Sequence, residues 1–96
     1  RMAAYILVEC EVNDAARYEE YKNLAKPAVE KYGGRYLVRG GATTVLEGEW
    51  EPHRIVVLEF PDSAAIQRFY SSPEYQAARA KRVGAAQMSM IAVEGA

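Results

Sequence analysis

His53-Arg54-Ile55-Val56-Val57-Leu58-Glu59-Phe60 reads as a β-strand that is apolar on both sides. Successive strand side chains leave in opposite directions, so His53, Ile55, Val57 and Glu59 share one face and Arg54, Val56, Leu58 and Phe60 the other. A strand with no face left for water belongs in the middle of a sheet, covered above and below.

Working back from it, Glu47 to Pro52, EGEWEP, is a turn-rich connection of hairpin-loop length. It leads from a second strand over residues 35–46, interrupted by Gly40-Gly41. Arg35, Leu37 and Arg39 share a face up to those glycines, which signal a bulge or a close backbone approach. Gly33-Gly34 ends a helix, because glycine accepts the left-handed geometry of a helix C-terminus. That helix starts at an Asn13-Asp14 cap and runs to about Tyr32, with Tyr18, Tyr21, Ala25, Ala28 and Tyr32 in one stripe. Pro27 removes a backbone donor inside it, so a kink or restart is expected there. Residues 4–12, AYILVECEV, alternate as a strand, with Ile6, Val8, Cys10 and Val12 on the dry face and Tyr5, Leu7, Glu9 and Glu11 opposite.

Forward from Phe60, Pro61-Asp62-Ser63 opens a helix carrying Ile66, Phe69 and Tyr70. Ser72-Pro73 is a second cap with proline in the first turn, starting a helix to about Val83 that Gly84 terminates. Residues 86–94, AQMSMIAVE, make the last strand. The order is βαββαβ, and right-handed crossovers around a four-stranded antiparallel sheet give an α+β, ferredoxin-like arrangement. Both helical segments then cover one sheet face, which leaves the second apolar side of residues 53–60 uncovered. A two-fold dimer with the open faces packed together, a dimeric α+β barrel, resolves this.

Composition narrows the function classes. A chain of 96 residues is expected to form a single domain, residues 2–96, with Arg1 read as an addition ahead of a natural start at Met2. Twelve basic against thirteen acidic residues give a net charge of −1, which lacks the electrostatic footprint of a nucleic-acid binder. No apolar run approaches the ~20 residues that span a bilayer. One cysteine excludes an internal disulfide and every paired-thiol metal spacing. A free thiol without a signal peptide points to the cytoplasm.

Tyr18-x-x-Tyr21, Pro27, Tyr32-Gly33-Gly34-Arg35-Tyr36-Leu37-Val38-Arg39-Gly40-Gly41, Leu46-Glu47-Gly48, Glu59-Phe60-Pro61 and Ser72-x-x-Tyr75 resemble the domain-of-unknown-function family numbered 1330 in order and spacing over nearly the whole chain. The resemblance implies the dimeric α+β barrel fold and a homodimer. That family has no settled activity, so the resemblance carries over no catalytic residue; related barrels include cofactor-free monooxygenases, lactone isomerases and haem-dependent enzymes.

Candidate site residues follow from strand parity. With Ile6, Val8 and Cys10 facing the helices, Glu9 and Tyr5 face into the barrel, joined by Arg39 from the second strand and by His53 and Glu59 from the third. Arg39 is the leading candidate, since a guanidinium forks onto a carboxylate or phosphate; the competing explanation is an ion pair with Glu9, Glu47 or Glu59. Glu59 gains a raised pKa if buried, as a general acid or base needs, unless Arg39 or Arg54 neutralises it. His53 is the one histidine, a residue type that can move a proton, but it stands at a strand start where loop histidines are common. Tyr75 is placed beside the cavity mouth. Tyr18, Tyr21, Tyr32 and Tyr36 are expected to pack with their hydroxyls reaching water. Arg79, Lys81 and Arg82 complement a helix dipole. Cys10 faces the helices, unsuited to a nucleophile's role. No glycine motif cradles a phosphate, and neither metal nor cofactor is expected.

The leading expectation is a homodimer that binds a small anionic or aromatic metabolite in each subunit's cavity, between sheet and helices, through Arg39, Glu59, His53, Glu9 and Tyr75. A cofactor-free isomerase or monooxygenase-like enzyme in the same cavity, and a structural module without a ligand, are the alternatives.

Overall fold

The computed structural model describes residues 2–96; Arg1 lies outside the described residues. Chain order is β1 (Ala4–Val12), α1 (Ala15–Lys31), β2 (Arg35–Arg39), β3 (Arg54–Phe60), α2 (Ser63–Tyr70), α3 (Pro73–Arg82) and β4 (Ala86–Glu94). The strands form one antiparallel sheet in the order β2-β3-β1-β4, so the doubly apolar strand is interior, as its composition requires. This is the ferredoxin-like arrangement.

Local chemistry sets the element ends. Asp14, Asp62 and Ser72 each cap a helix, their side-chain oxygens accepting from the backbone N–H of Arg17, Ala65 and Tyr75 at 3.1, 2.8 and 3.1 Å. α1 closes at Gly33, whose φ of +87° is the left-handed turn expected there. Pro27 neither ends nor restarts α1, which is continuous over 17 residues. The packing of its Tyr18, Tyr21, Ala25, Ala28 and Val29 face on the core outweighs one lost hydrogen bond.

The second strand is shorter than expected: it stops at Arg39, and residues 41–53 contain no strand. Gly40 has φ +76°, so the chain turns off the sheet while its N–H still donates to the Ile55 carbonyl at 2.8 Å. The irregularity also falls earlier than the glycines. Tyr36 is opposite Leu58 and Val38 opposite Val57, so Leu37 is an extra residue, a β-bulge.

All three helices cover one face, and the molecule is a slab with Cα extents of 34 × 33 × 16 Å. The core lies between the layers. Ile6, Val8 and Cys10 from β1 and Val56, Leu58 and Phe60 from β3 meet the α1 stripe, Ile66 and Phe69 of α2, and Tyr75 and Ala78 of α3. The opposite sheet face carries Leu7, Ile55, Val57, Ile91 and Val93 with no layer over them, Ile91 being 61% exposed. None of the described helices is long and apolar enough to cross a membrane.

Candidate functional site

Two polar regions emerge, on opposite sides of the sheet, and the five candidate residues are divided between them. The Leu37 bulge is the cause. A one-residue insertion reverses which face each later side chain takes. Arg35 therefore stands opposite Glu59 on the open face, whereas Arg39 stands opposite Val56, on the helix side. Arg39 does not join Glu9, His53 and Glu59.

Those three do occupy the open face, but not together. His53 immediately precedes β3 and Glu59 lies near its far end, roughly 20 Å away at ~3.3 Å per residue. The His53 ring lies between two carboxylates, with Nδ1 3.7 Å from Glu9 and Nε2 3.6 Å from Glu11, and its backbone N–H donates to Glu9 at 3.3 Å. At the other end Arg35 Nε donates to Glu59 at 2.7 Å and the Tyr5 hydroxyl donates to it at 3.2 Å. Arg35, first, and Tyr5 hold the Glu59 carboxyl below its usual range. The raised value that a general acid needs is thus absent, and the neutralising partner is Arg35 rather than Arg39 or Arg54. Between the two ends lies a shallow apolar groove of about 280 Å³, bordered by Leu7, Ile55, Val57, Ile91 and Trp50.

The second region, between sheet and helices, is the candidate site. A cavity of about 30 Å³ is walled by Tyr18 and Tyr21 of α1, Tyr36 of β2, Tyr75 of α3, and Met88 and Met90 of β4. Arg39, Arg54 and Lys22 also border it, and the same three border an outer cleft of about 690 Å³ along α1. The cavity lining contains no carboxylate and no imidazole among the described residues.

Tyr75 is not at a mouth but inside: it is 1% exposed, packed against Phe69 at 4.5 Å with the rings tilted by 41°, and edge-on to Tyr21 at 6.2 Å. Its hydroxyl is 2.9 Å from that of Tyr21, a hydrogen bond in which either can donate. Tyr21 and Tyr18 are buried too, and the Tyr21 hydroxyl is turned to protein rather than water. Tyr32 likewise donates to Glu74 at 2.9 Å. Burial pushes the Tyr18 phenol up to about 12 and raises Tyr21 and Tyr36 as well, so these phenols stay protonated near neutral pH and serve as donors.

The guanidiniums complete the site. Arg39 lies over the Tyr36 ring at 4.4 Å and Arg54 over Tyr18 at 5.9 Å. Among the described residues neither has a carboxylate within 4.0 Å. Arg54 Nε is buried without a hydrogen-bond partner. Gly40 makes room for this guanidinium, since a Cβ at that position would collide with it. Arg54 was legible in one respect: it is the only charged residue in phase with Val56, Leu58 and Phe60 on the helix-facing side of β3.

A family model described as "Domain of unknown function (DUF1330)" matches residues 3–96. The chain belongs to this family. A search of curated proteins finds no match. Among solved structures, a protein of unknown function from Rhodopseudomonas palustris is similar over 96% of this chain and 81% of its own, with 21% identity and a TM-score of 0.76. A dimeric ferredoxin-like protein of unknown function from Jannaschia sp. CCS1 matches at 17% identity over 95% of this chain and 97% of its own, TM-score 0.63. SnoaB, a cofactor-independent oxygenase from Streptomyces nogalater, matches at 12% identity over 96% of this chain and 91% of its own, TM-score 0.64. At these identities the family shares a ferredoxin-like fold with its neighbours, and the likeness extends to fold alone.

Proposed function

We propose that the protein is a cytoplasmic homodimer, each subunit one domain over residues 2–96, that binds a small anionic or aromatic metabolite in the cavity between sheet and helices. One observation carries this reading: Arg39 and Arg54 border a tyrosine-walled cavity without carboxylate partners, and Arg54 Nε is buried with nothing to bond. Buried donors normally have acceptors, and leaving one unmade costs about 1–3 kcal/mol, so an acceptor brought by a ligand is favoured. Apolar walls with a few convergent polar groups are the usual form of a small-molecule site. The uncovered apolar sheet face and the dimeric Jannaschia neighbour support the dimer.

Arg39 and Tyr75 thus remain binding residues, joined by Arg54, Tyr18, Tyr21 and Tyr36. Glu9, His53 and Glu59 move to the dimer face. The test is a fragment screen followed by amide NMR shifts. Saturable shifts confined to Tyr21, Tyr36, Arg54 and Met88 are expected; shifts only at Leu7, Val57 and Ile91 would refute the cavity reading.

The fold likeness to SnoaB, a cofactor-independent oxygenase, favours a second reading in which the same cavity is catalytic. There the guanidiniums and phenols would stabilise an oxyanion or enolate. No lining carboxylate or histidine is present to remove a proton, which weighs against an acid–base isomerase.

A further inference from the structure

The cavity is chemically graded from its mouth inward, and the grading specifies a ligand more narrowly than anionic or aromatic. At the outer end Lys22, Arg39 and Arg54 border both the inner cavity and the cleft, and the cleft adds Lys26 against only Glu19 and Glu30. Lys22 is 3.3 Å from Glu19, so one of these carboxylates is already engaged. The mouth therefore carries an excess of positive charge in the form of two forked guanidiniums, which bind planar carboxylates in two-point fashion. The middle is ring-walled by Tyr18 and Tyr36, and each of those rings already has a flat guanidinium over it. At the inner end is the Tyr21–Tyr75 hydroxyl pair. Two hydroxyls sharing one hydrogen bond have a second hydrogen left over, so this end offers a donor.

Resting on the reading that this cavity is the binding site, we propose that its ligand is a planar aromatic acid. The carboxylate lies between Arg39 and Arg54, the ring against Tyr36 and Tyr18, and a ring oxygen at the far end accepts from the Tyr21–Tyr75 pair. The present 30 Å³ holds little more than a water, whereas a benzene-sized guest occupies a cavity of about 150 Å³. The space comes from the mouth. Arg39, exposed and stacked on Tyr36, swings outward into the cleft, and the unbranched side chains of Met88 and Met90 adapt behind the ring.

The test is calorimetry and amide NMR with four probes at pH 7.5: 4-hydroxybenzoate, benzoate without the inner oxygen, 4-hydroxybenzyl alcohol without the charge, and cyclohexanecarboxylate without the aromatic ring. 4-Hydroxybenzoate should bind at least about tenfold more tightly than the neutral alcohol, the scale of a hydrogen bond to a charged group. It should also exceed benzoate and cyclohexanecarboxylate. Arg54→Met and Arg39→Met should each abolish the preference over the alcohol, and the double variant Tyr21→Phe/Tyr75→Phe, which removes both donors, should abolish only the preference over benzoate. Arg39 is solvent-exposed, so its variant keeps the test valid if Arg54→Met fails to fold. Equal affinity for acid and alcohol, or no saturable binding of any probe, would overturn the aromatic-acid proposal while a fragment still shifting Tyr21 and Met88 kept the cavity reading intact. Shifts mapping to Leu7 and Ile91 instead would overturn both.

Discussion

At the scale of single residues, the Tyr21–Tyr75 pair and Gly40 make the clearest demands. The two phenols share one hydrogen bond inside the core, so removing one hydroxyl takes away the other's partner. Tyr21→Phe and Tyr75→Phe should each cost about 1–2 kcal/mol, within the range for an orphaned buried polar group. The double variant should cost less than the sum of the two, because it leaves no orphan; chemical denaturation of all four proteins gives the coupling directly. Strict additivity would mean that the hydroxyls do not depend on each other. Gly40→Ala tests a different point. The positive φ alone costs an alanine about 1–2 kcal/mol, and the new methyl also displaces the Arg54 guanidinium. Lower melting temperature together with weaker ligand binding is expected, and intact binding would show that Arg54 does not need its present position. Part of this was open to the sequence. The glycine pair marked a close approach, and strand parity correctly put Arg54 on the helix side. What approaches Gly40 comes from another strand, however, and no local pattern names it. The tyrosines were misjudged for a related reason: their spacing shows that they are buried, not that two hydroxyls far apart in sequence meet each other.

At the scale of elements, periodicity and capping residues located nearly every helix and strand, because Asp14, Asp62, Ser72 and the alternating runs act locally. The bulge at Leu37 escaped, since no glycine or proline marks it and only the register against β3 reveals it. That one residue moved Arg39 from the expected barrel face to the helix side and so divided the candidate site. The helix layer has its own electrostatic tie. Lys31 at the end of α1 pairs with Glu74 in the first turn of α3, and Tyr32 donates to the same carboxylate. The Lys31 ammonium, its own backbone N–H and Tyr32 together hold Glu74 down at about 2, against an ordinary value of 4.5. A depressed carboxylate stabilises the fold above its unfolded-state pKa, and that contribution fades as pH falls toward the folded value. The melting temperature should therefore drop between about pH 4.5 and pH 2, and Glu74→Gln should flatten part of that drop. The Arg35–Glu59 pair has the same sign, so some acid dependence will persist in the variant. A Glu74→Gln profile parallel to the wild type would remove this pair from the account.

At the scale of the whole molecule, one side of the slab is finished and the other is not. The helix side buries its aromatic core, while the open side presents Leu7, Val57, Ile91 and Val93, flanked by Trp50 at 65% exposure. An apolar sheet face rimmed by polar groups in this way is the kind of surface that marks an association site. The doubly apolar reading of residues 53–60 already required a cover on that side, and none of the described elements supplies one. In the proposed dimer a second copy does, with the Arg35–Glu59–Tyr5 group at one end of the sheet face and His53 with Glu9 and Glu11 at the other. Charge placed in the middle of that face would have to be buried without a partner, a cost of several kcal/mol per ion. Ile91→Glu should therefore convert a dimer into a monomer at micromolar concentration in analytical ultracentrifugation. Its opposite neighbour Leu7 makes an independent check, since Leu7→Lys should do the same alone. A wild-type monomer at those concentrations would remove the dimer and leave the sheet–helix cavity to be judged on ligand binding alone.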